Sequence, residues 1–278
     1  MHGERGEYLR AADTLCQGYE LGLSSGYTAT KPTALINLGL MYRRLGHSHH
    51  ARRCWSVSAA IAGGAGLRHH ASVALYLLGH QAASEGRLQE AERLLPPAVD
   101  FLETVHLAFN LSEARYLLAD LRERQGDFDE ASRLAGRAHE IATEIGRRDY
   151  IFVSQVMAIR LDVARGVIDA HCGCERLATM LPEWPQSNRQ AALRYAAWRL
   201  DPSHEEDRLL AARLYADIHP SRPNALYRER YHELTGRHLA APDVPELPGD
   251  VRDYPGSTDE LIESVVQSTH AWTWLEPA

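Results

Sequence analysis

The chain has 278 residues, of which 45% are apolar and 24% charged, enough for an extensive core and too apolar for global disorder. With 30 basic and 37 acidic residues the formal charge is −7, which argues against a nucleic-acid binder with a basic face. The four cysteines form no secreted-type framework, the N-terminus lacks the apolar region of a signal peptide, and no stretch approaches the roughly 18–20 apolar residues of a membrane span. A cytoplasmic protein with reduced thiols, no membrane contact and no nucleic-acid partner is expected.

The first feature along the chain is a repeat. Gly6, Gly46, Gly86, Gly126 and Gly166 recur at intervals of 40 residues. Four such hits from one starting glycine have a chance probability on the order of 10⁻⁵. Other columns move with them. Ala11, Ala51, Ala91 and Ala131 follow five positions later, and Gly18, Ser58, Ala98, Ala138 and Ala178 follow twelve positions later. Gly26, Gly66, His106 and Gly146 stand halfway between the glycines.

These columns predict two antiparallel helices per unit. Gly46, Gly86 and Gly126 suit a left-handed residue in the turn between them, and the second column ends the second helix in the same way. The small residues let helix axes cross closely. Leu35, Leu38, Tyr42 and Leu45 lie on one helical face, and Ala51, Cys54, Trp55 and Ser58 continue on the partner helix. Units of this kind bury their apolar faces only by stacking.

In chain order, residues 7–25 form a second helix whose first helix is missing. That suggests a chain cut from a longer protein, with a natural cap as the alternative. Repeats follow at about 32–66, 72–106, 112–146 and 152–181. The last is weakened by Asp162 and His171. Pro182 and Pro185 interrupt the phase, and residues 182–240 read as capping helices at about 187–200, 204–218 and 223–236. Residues 241–256 hold four prolines and four acidic residues and read as an extended linker. Ser257 to Glu260 is a capping box opening a helix and tail over 257–278, ending near Trp272 and Trp274. That helix is expected to fold back over apolar surface of the array, the alternative being that the tail docks in the array's own groove or in a partner.

Leu35-x-x-Leu38-Gly39-x-x-Tyr42-x-x-x-Gly46-x-x-x-x-Ala51-x-x-x-Trp55 resembles the tetratricopeptide repeat (TPR) signature. Leu75, Leu78, Gly79, Gly86, Ala91 and Leu95 repeat it, and Leu118, Ala119, Gly126, Ala131 and Ala138 do so again. The resemblance covers roughly residues 6–180. The forty-residue length resembles the long repeats attached to bacterial signalling ATPases and transcription regulators. It implies an all-α, right-handed superhelical solenoid of antiparallel helix pairs, with the first helices lining a concave groove.

Catalytic signatures are missing. There is no phosphate loop, no nucleophile elbow and no His-Glu-x-x-His. Gly63-Gly64-Ala65-Gly66 coincides with an expected helix end. His47, His49 and His50 read as turn filling, and Cys172-Gly173-Cys174 as an irregular helix start. No catalytic residue, metal or cofactor is expected, and the protein reads as a non-enzyme. The resemblance carries groove positions onto Ile36, Leu40, Arg43, Arg44, Tyr76, His80, Tyr116, Asp120, Glu123, Arg124, Val156 and Arg160. Arg43, Arg44 and Arg160 are candidates to clamp a carboxylate or phosphate, and Tyr76, His80 and Tyr116 to hold an apolar or peptide segment. The expected function is a protein- or peptide-binding scaffold, whose own C-terminal tail is one candidate occupant. The alternative is a ligand-sensing regulatory segment of a larger signalling protein.

Overall fold

A computed structural model of the chain describes residues 7–24 and 30–269, which form fourteen helices and no strand. These are α1 (Tyr8–Ser24), α2 (Lys31–Leu45), α3 (Ser48–Gly64), α4 (Arg68–Ser84), α5 (Leu88–Thr104), α6 (Ala108–Arg124), α7 (Phe128–Glu144) and α8 (Arg148–Ala164). They continue with α9 (Ala170–Met180), α10 (Ser187–Leu200), α11 (Glu205–Ile218), α12 (Ala225–Thr235), α13 (Gly249–Arg252) and α14 (Thr258–Thr269). Gly6, Gly26, Trp272 and Trp274 lie outside the described residues.

From α3 to α8 each helix has 17 residues. Successive starts fall 20 residues apart, because each connector has the same build. Gly46, Gly66, Gly86, Gly126, Gly146 and Gly166 all have φ between +68° and +94°. The residue after each glycine sends its amide back across the helix end: His47 to the Tyr42 carbonyl, Leu67 to Ala62, Arg87 to Ala82, at 2.8–2.9 Å. This satisfies carbonyls that the helix leaves open. His106 fills the same position at φ +54°, the only described non-glycine residue with positive φ.

Two further glycines set how closely the helices of a pair approach. A Cβ on Gly39 would stand 2.3 Å from Trp55 Nε1, and one on Gly79 would stand 2.8 Å from Leu95 Cγ. Trp55 is fully buried, and its indole N–H donates to the Ile36 carbonyl at 3.1 Å. The small column is buried as well, at Ser58, Ala98 and Ala138.

The first helices α2, α4, α6, α8 and α10 touch in succession, whereas the second helices α3, α5 and α7 barely meet one another. The first helices therefore form the inner layer of a curved stack. Chain 182–240 continues the stack through α10, α11 and α12. Tyr195 and Arg199 of α10 bind Glu233 of α12. α12 then returns to α2. Arg228 Nη2 donates to the Leu45 carbonyl at 3.0 Å, and a Cβ on Gly46 would lie 3.3 Å from Ala225 Cβ. The array thus completes one turn and closes on itself.

The segment expected to be an extended linker is a bonded strap. Tyr42 donates to the Glu246 carbonyl at 2.9 Å, Tyr19 donates to Asp250 at 2.8 Å, and α13 forms within it. The buried Arg53 donates to the carbonyls of Val251, Arg252, Tyr254 and Gly256. Ser257 and Glu260 exchange the reciprocal bonds of a capping box. α14 lies on α3 and α5 with Ile262, Val265 and Val266 buried, so it covers the outer layer and not the inner one.

Three outcomes follow. Gly39→Ala gains about 1 kcal/mol in helix propensity but loses about 3 to the clash with Trp55, a net loss of roughly 2. Gly136→Ala, in α7 with nothing within 4 Å, raises stability by about 0.5–1 kcal/mol. Urea unfolding midpoints measure both. Arg53→Met leaves strap carbonyls without their charged donor and costs about 2–3 kcal/mol, with new proteolytic cleavage between residues 240 and 257.

Candidate ligand-binding lumen

Closure turns the inner face of the first helices into a lumen. Arg44, near the end of α2, shows what kind of space it is. Its side chain is exposed to solvent, yet groups from α6, α8 and α12 act on it electrostatically and the Tyr8 ring of α1 lies 5.9 Å away. A group that is wet and still surrounded by several elements sits in an enclosed, water-accessible space.

The structure divides the groove positions expected from sequence into wall and surface. Ile36 is buried in the core and Leu40 packs against it. Tyr76 is 1% exposed between α4 and α6, where its hydroxyl accepts from Asn110 at 3.3 Å. Val156 belongs to the separate core around Phe152 and Trp184. These residues build the wall instead of lining its inner surface. The remaining positions, Arg44 apart, meet in pairs, across neighbouring helices or, for Arg124 and Asp120, within α6. Arg43 Nη2 is 3.3 Å from His80 Nε2, and Arg160 binds Glu123 at 2.5 Å. Arg124 binds Asp120 at 2.7 Å, and Tyr116 meets Tyr150 edge-on at 5.7 Å. Arg160 is therefore paired with a carboxylate, unlike Arg43 and Arg44.

Several lumen residues escaped the sequence reading. Tyr150 and Arg147 stand one turn before the fourth window of groove positions, because the first helices begin at 68, 108 and 148, one turn ahead of each window. Asn110 and His69, hydrogen-bonded at 3.1 Å, mark the same overlooked level in the two preceding repeats. Arg189 of α10 and Tyr227 and Arg230 of α12 lie beyond the recognisable repeat and carry no columnar signal. Arg230 stacks over Tyr195 at 4.5 Å and donates to the Tyr215 hydroxyl at 2.8 Å. Arg189 lies over Phe152 at 4.4 Å.

Charge is unevenly matched. Arg124, Arg147 and Arg160 each bind a carboxylate: Asp120, Glu113 and Glu123. Among the described residues Arg43, Arg44, Arg189 and Arg230 bind none. Burial, with Arg44 adding to it, lowers the Arg43 guanidinium to about 10. Burial first, then Arg43, Arg124 and Arg44, holds His80 well below its ordinary value, so it is a neutral imidazole at pH 7. Burial raises the Tyr116 and Tyr150 hydroxyls, which stay protonated and able to donate.

Two other surfaces offer less. His47 and His49 meet His50 edge-on and His50 lies tilted against Tyr42, with no convergence of three metal-ligating side chains among the described residues. An open cleft of about 880 Å³ between α3, α5 and α14 is lined by Arg52, Arg87, Glu90 and Asp259, which pair with one another. Cys174 is buried with its thiol 3.4 Å from the Ala197 carbonyl, behind a helix start capped by Asp169. No described helix is long and apolar enough to cross a membrane.

Set against known proteins, the chain matches no family model, and no curated protein is a significant match.

His80 makes stability pH-dependent with a definite sign. Its folded pKa lies below the unfolded value of about 6.5, so the unfolded chain takes up the proton first. The contribution is complete above about pH 6.5 and is lost at up to about 1.4 kcal/mol per unit as pH falls toward the folded value. His50 and His70 shift the same way, so His80→Gln isolates one part of the effect. Thermal unfolding of this variant between pH 7 and pH 5 is expected to show a shallower loss than the unaltered protein.

Proposed function

We propose that this protein is a non-enzymatic binding module that holds an extended segment of another protein, or a peptide, in its lumen. The observation that carries the reading is the return of α12 to α2, which brings the inner faces of the first helices, with their arginines and tyrosines, around one space. Both side chains combine contact area with directed hydrogen bonds and are frequent energetic anchors of interfaces. The lumen offers Arg43 and Arg44 beside Tyr8, Tyr116 and Tyr150, and ion pairs such as Arg160–Glu123 hold the wall between them. The resemblance of residues 6–180 to TPR arrays supports the same reading, since such arrays receive partners on the face of their first helices.

The test is selection of random twelve-residue peptides on the immobilised protein, followed by affinity measurement. Peptides taken up by the lumen lose at least tenfold in affinity on Arg44→Ala and on Tyr150→Ala, each tenfold being about 1.4 kcal/mol. Leu209→Ala, on the exposed face of α11, leaves affinity unchanged. Peptides indifferent to both lumen substitutions, or no retained peptides, overturn the reading.

A further inference from the structure

Large apolar side chains are exposed unevenly over the surface. Of eight among the described residues, Leu67, Val105, Phe109 and Ile145 lie in or beside three successive connectors, those that lead from a second helix to the next first helix. Phe109 is the most open of the four, at 61%. The three connectors touch. His69 Nε2 is 3.1 Å from Asn110 Oδ1, and the Arg147 guanidinium lies 4.0 Å from the centre of the Phe109 ring and donates to the Phe109 carbonyl. These contacts set the four side chains along one rim of the array. One connector of this rim also departs from the glycine rule. His106 keeps an exposed side chain at φ +54°, a conformation that a Cβ disfavours, between Val105 and Phe109. A contiguous apolar strip on a charged surface marks a docking face.

The described chain ends at the same rim. α14 runs in the direction of α3. Arg52, in the first turns of α3, binds Asp259 at 2.7 Å, and near the far end a Cβ on Gly63 would lie 3.8 Å from Val265 Cγ2. Arg93 of α5 binds Glu263 at 3.0 Å, so α14 sits over the gap between α3 and α5. α3 ends at Gly64, whereas α14 continues four residues past Val265, about 6 Å. Thr269 therefore stands level with the connectors at 65–67 and 105–107. Residues 270–278, which lie outside the described residues, read His-Ala-Trp-Thr-Trp-Leu-Glu-Pro-Ala. Trp272 and Trp274 follow Thr269 by three and five residues, spans of at most about 10 and 17 Å. Packed helices stand about 8–10 Å apart, so Val105 at the end of α5 and Phe109 at the start of α6 fall within that reach.

We infer that the rim of Leu67, Val105, Phe109 and Ile145 is the docking surface of the chain's own residues 270–278, with Trp272 and Trp274 as the anchors. Docking takes two indoles and the apolar strip out of water together, and an indole can meet the open Phe109 ring edge-on or offset. It also fastens the far end of α14, whose near end is held by the capping box of Ser257 and Glu260. The rim lies at the ends of the helices and not on the inner face of α2, α4, α6 and α8, so the tail leaves the lumen to another partner. Docking here does not depend on what the lumen binds.

The experiment is pulsed electron–electron resonance on the full chain, with spin labels at Glu276 and at Glu144, which is exposed beside Ile145. The unaltered protein is expected to give one narrow distance distribution. Phe109→Asp is expected to broaden it, and so is Trp272→Ser/Trp274→Ser. Val105→Asp reaches the same end at a second exposed position, and the helical circular dichroism of each variant confirms that it folds. Leu209→Asp, on the exposed face of α11, leaves the distribution narrow. A broad distribution in the unaltered protein overturns the docking, as does a narrow one that survives both Phe109→Asp and Val105→Asp. A distribution that responds to Arg44→Ala and not to the rim variants would place the tail in the lumen. A short distance that appears only when singly labelled chains are mixed would place it on a second copy. Either result overturns docking on the chain's own rim.

Discussion

A left-handed residue after each helix from α3 to α8 is the constraint on which the rest of the structure depends. Between α3 and α8 each one reverses the chain in the same three-residue connector, so the helices emerge with constant length and phase. Constant phase lets the first helices touch along one layer while the second helices spread outside them, and that difference curves the stack. The constraint is strong enough to override local preference. His106 accepts a conformation that a Cβ disfavours, and α5 runs through Pro96 and Pro97, which cannot donate the helical hydrogen bonds of their positions.

Curvature continued for a full turn changes the nature of the inner face. An open groove would leave Arg44 facing bulk solvent. In the closed turn it lies where groups of α6, α8 and α12 act on it electrostatically. The strap makes the return durable. Arg53 converts a proline-rich acidic stretch into a bonded layer by donating to four carbonyls, and Tyr19 and Tyr42 hold the same stretch from α1 and α2. α14 then fills the wedge between α3 and α5 that curvature opens on the outside.

Much of the fold was legible in the sequence because its signals are local. A glycine at the end of a helix answers to backbone geometry alone, and the columns at Gly46 and Gly66 mark left-handed turns wherever they fall. The helices beyond residue 182 were readable once Pro182 and Pro185 marked the break in phase. Closure was not, because the Arg228–Leu45 bond joins residues 183 positions apart and leaves no periodic trace. The lumen was half legible for the same reason. Arg43, Arg44, His80, Tyr116, Glu123 and Arg160 were expected from the resemblance, whereas Tyr8, Arg189 and Tyr227 lie outside its groove positions. Ile36 and Tyr76 show the reverse error. Their register faces the neighbouring first helix closely enough that packing buries them.

The account stands on the meeting of α12 with the end of α2 in solution. Pulsed electron–electron resonance between spin labels at His49 and Glu229, both exposed and on either side of that meeting, measures it directly. A single short and narrow distance distribution is the result the closed turn requires. A broad or long distribution would mean an open array, with no enclosed lumen to bind anything.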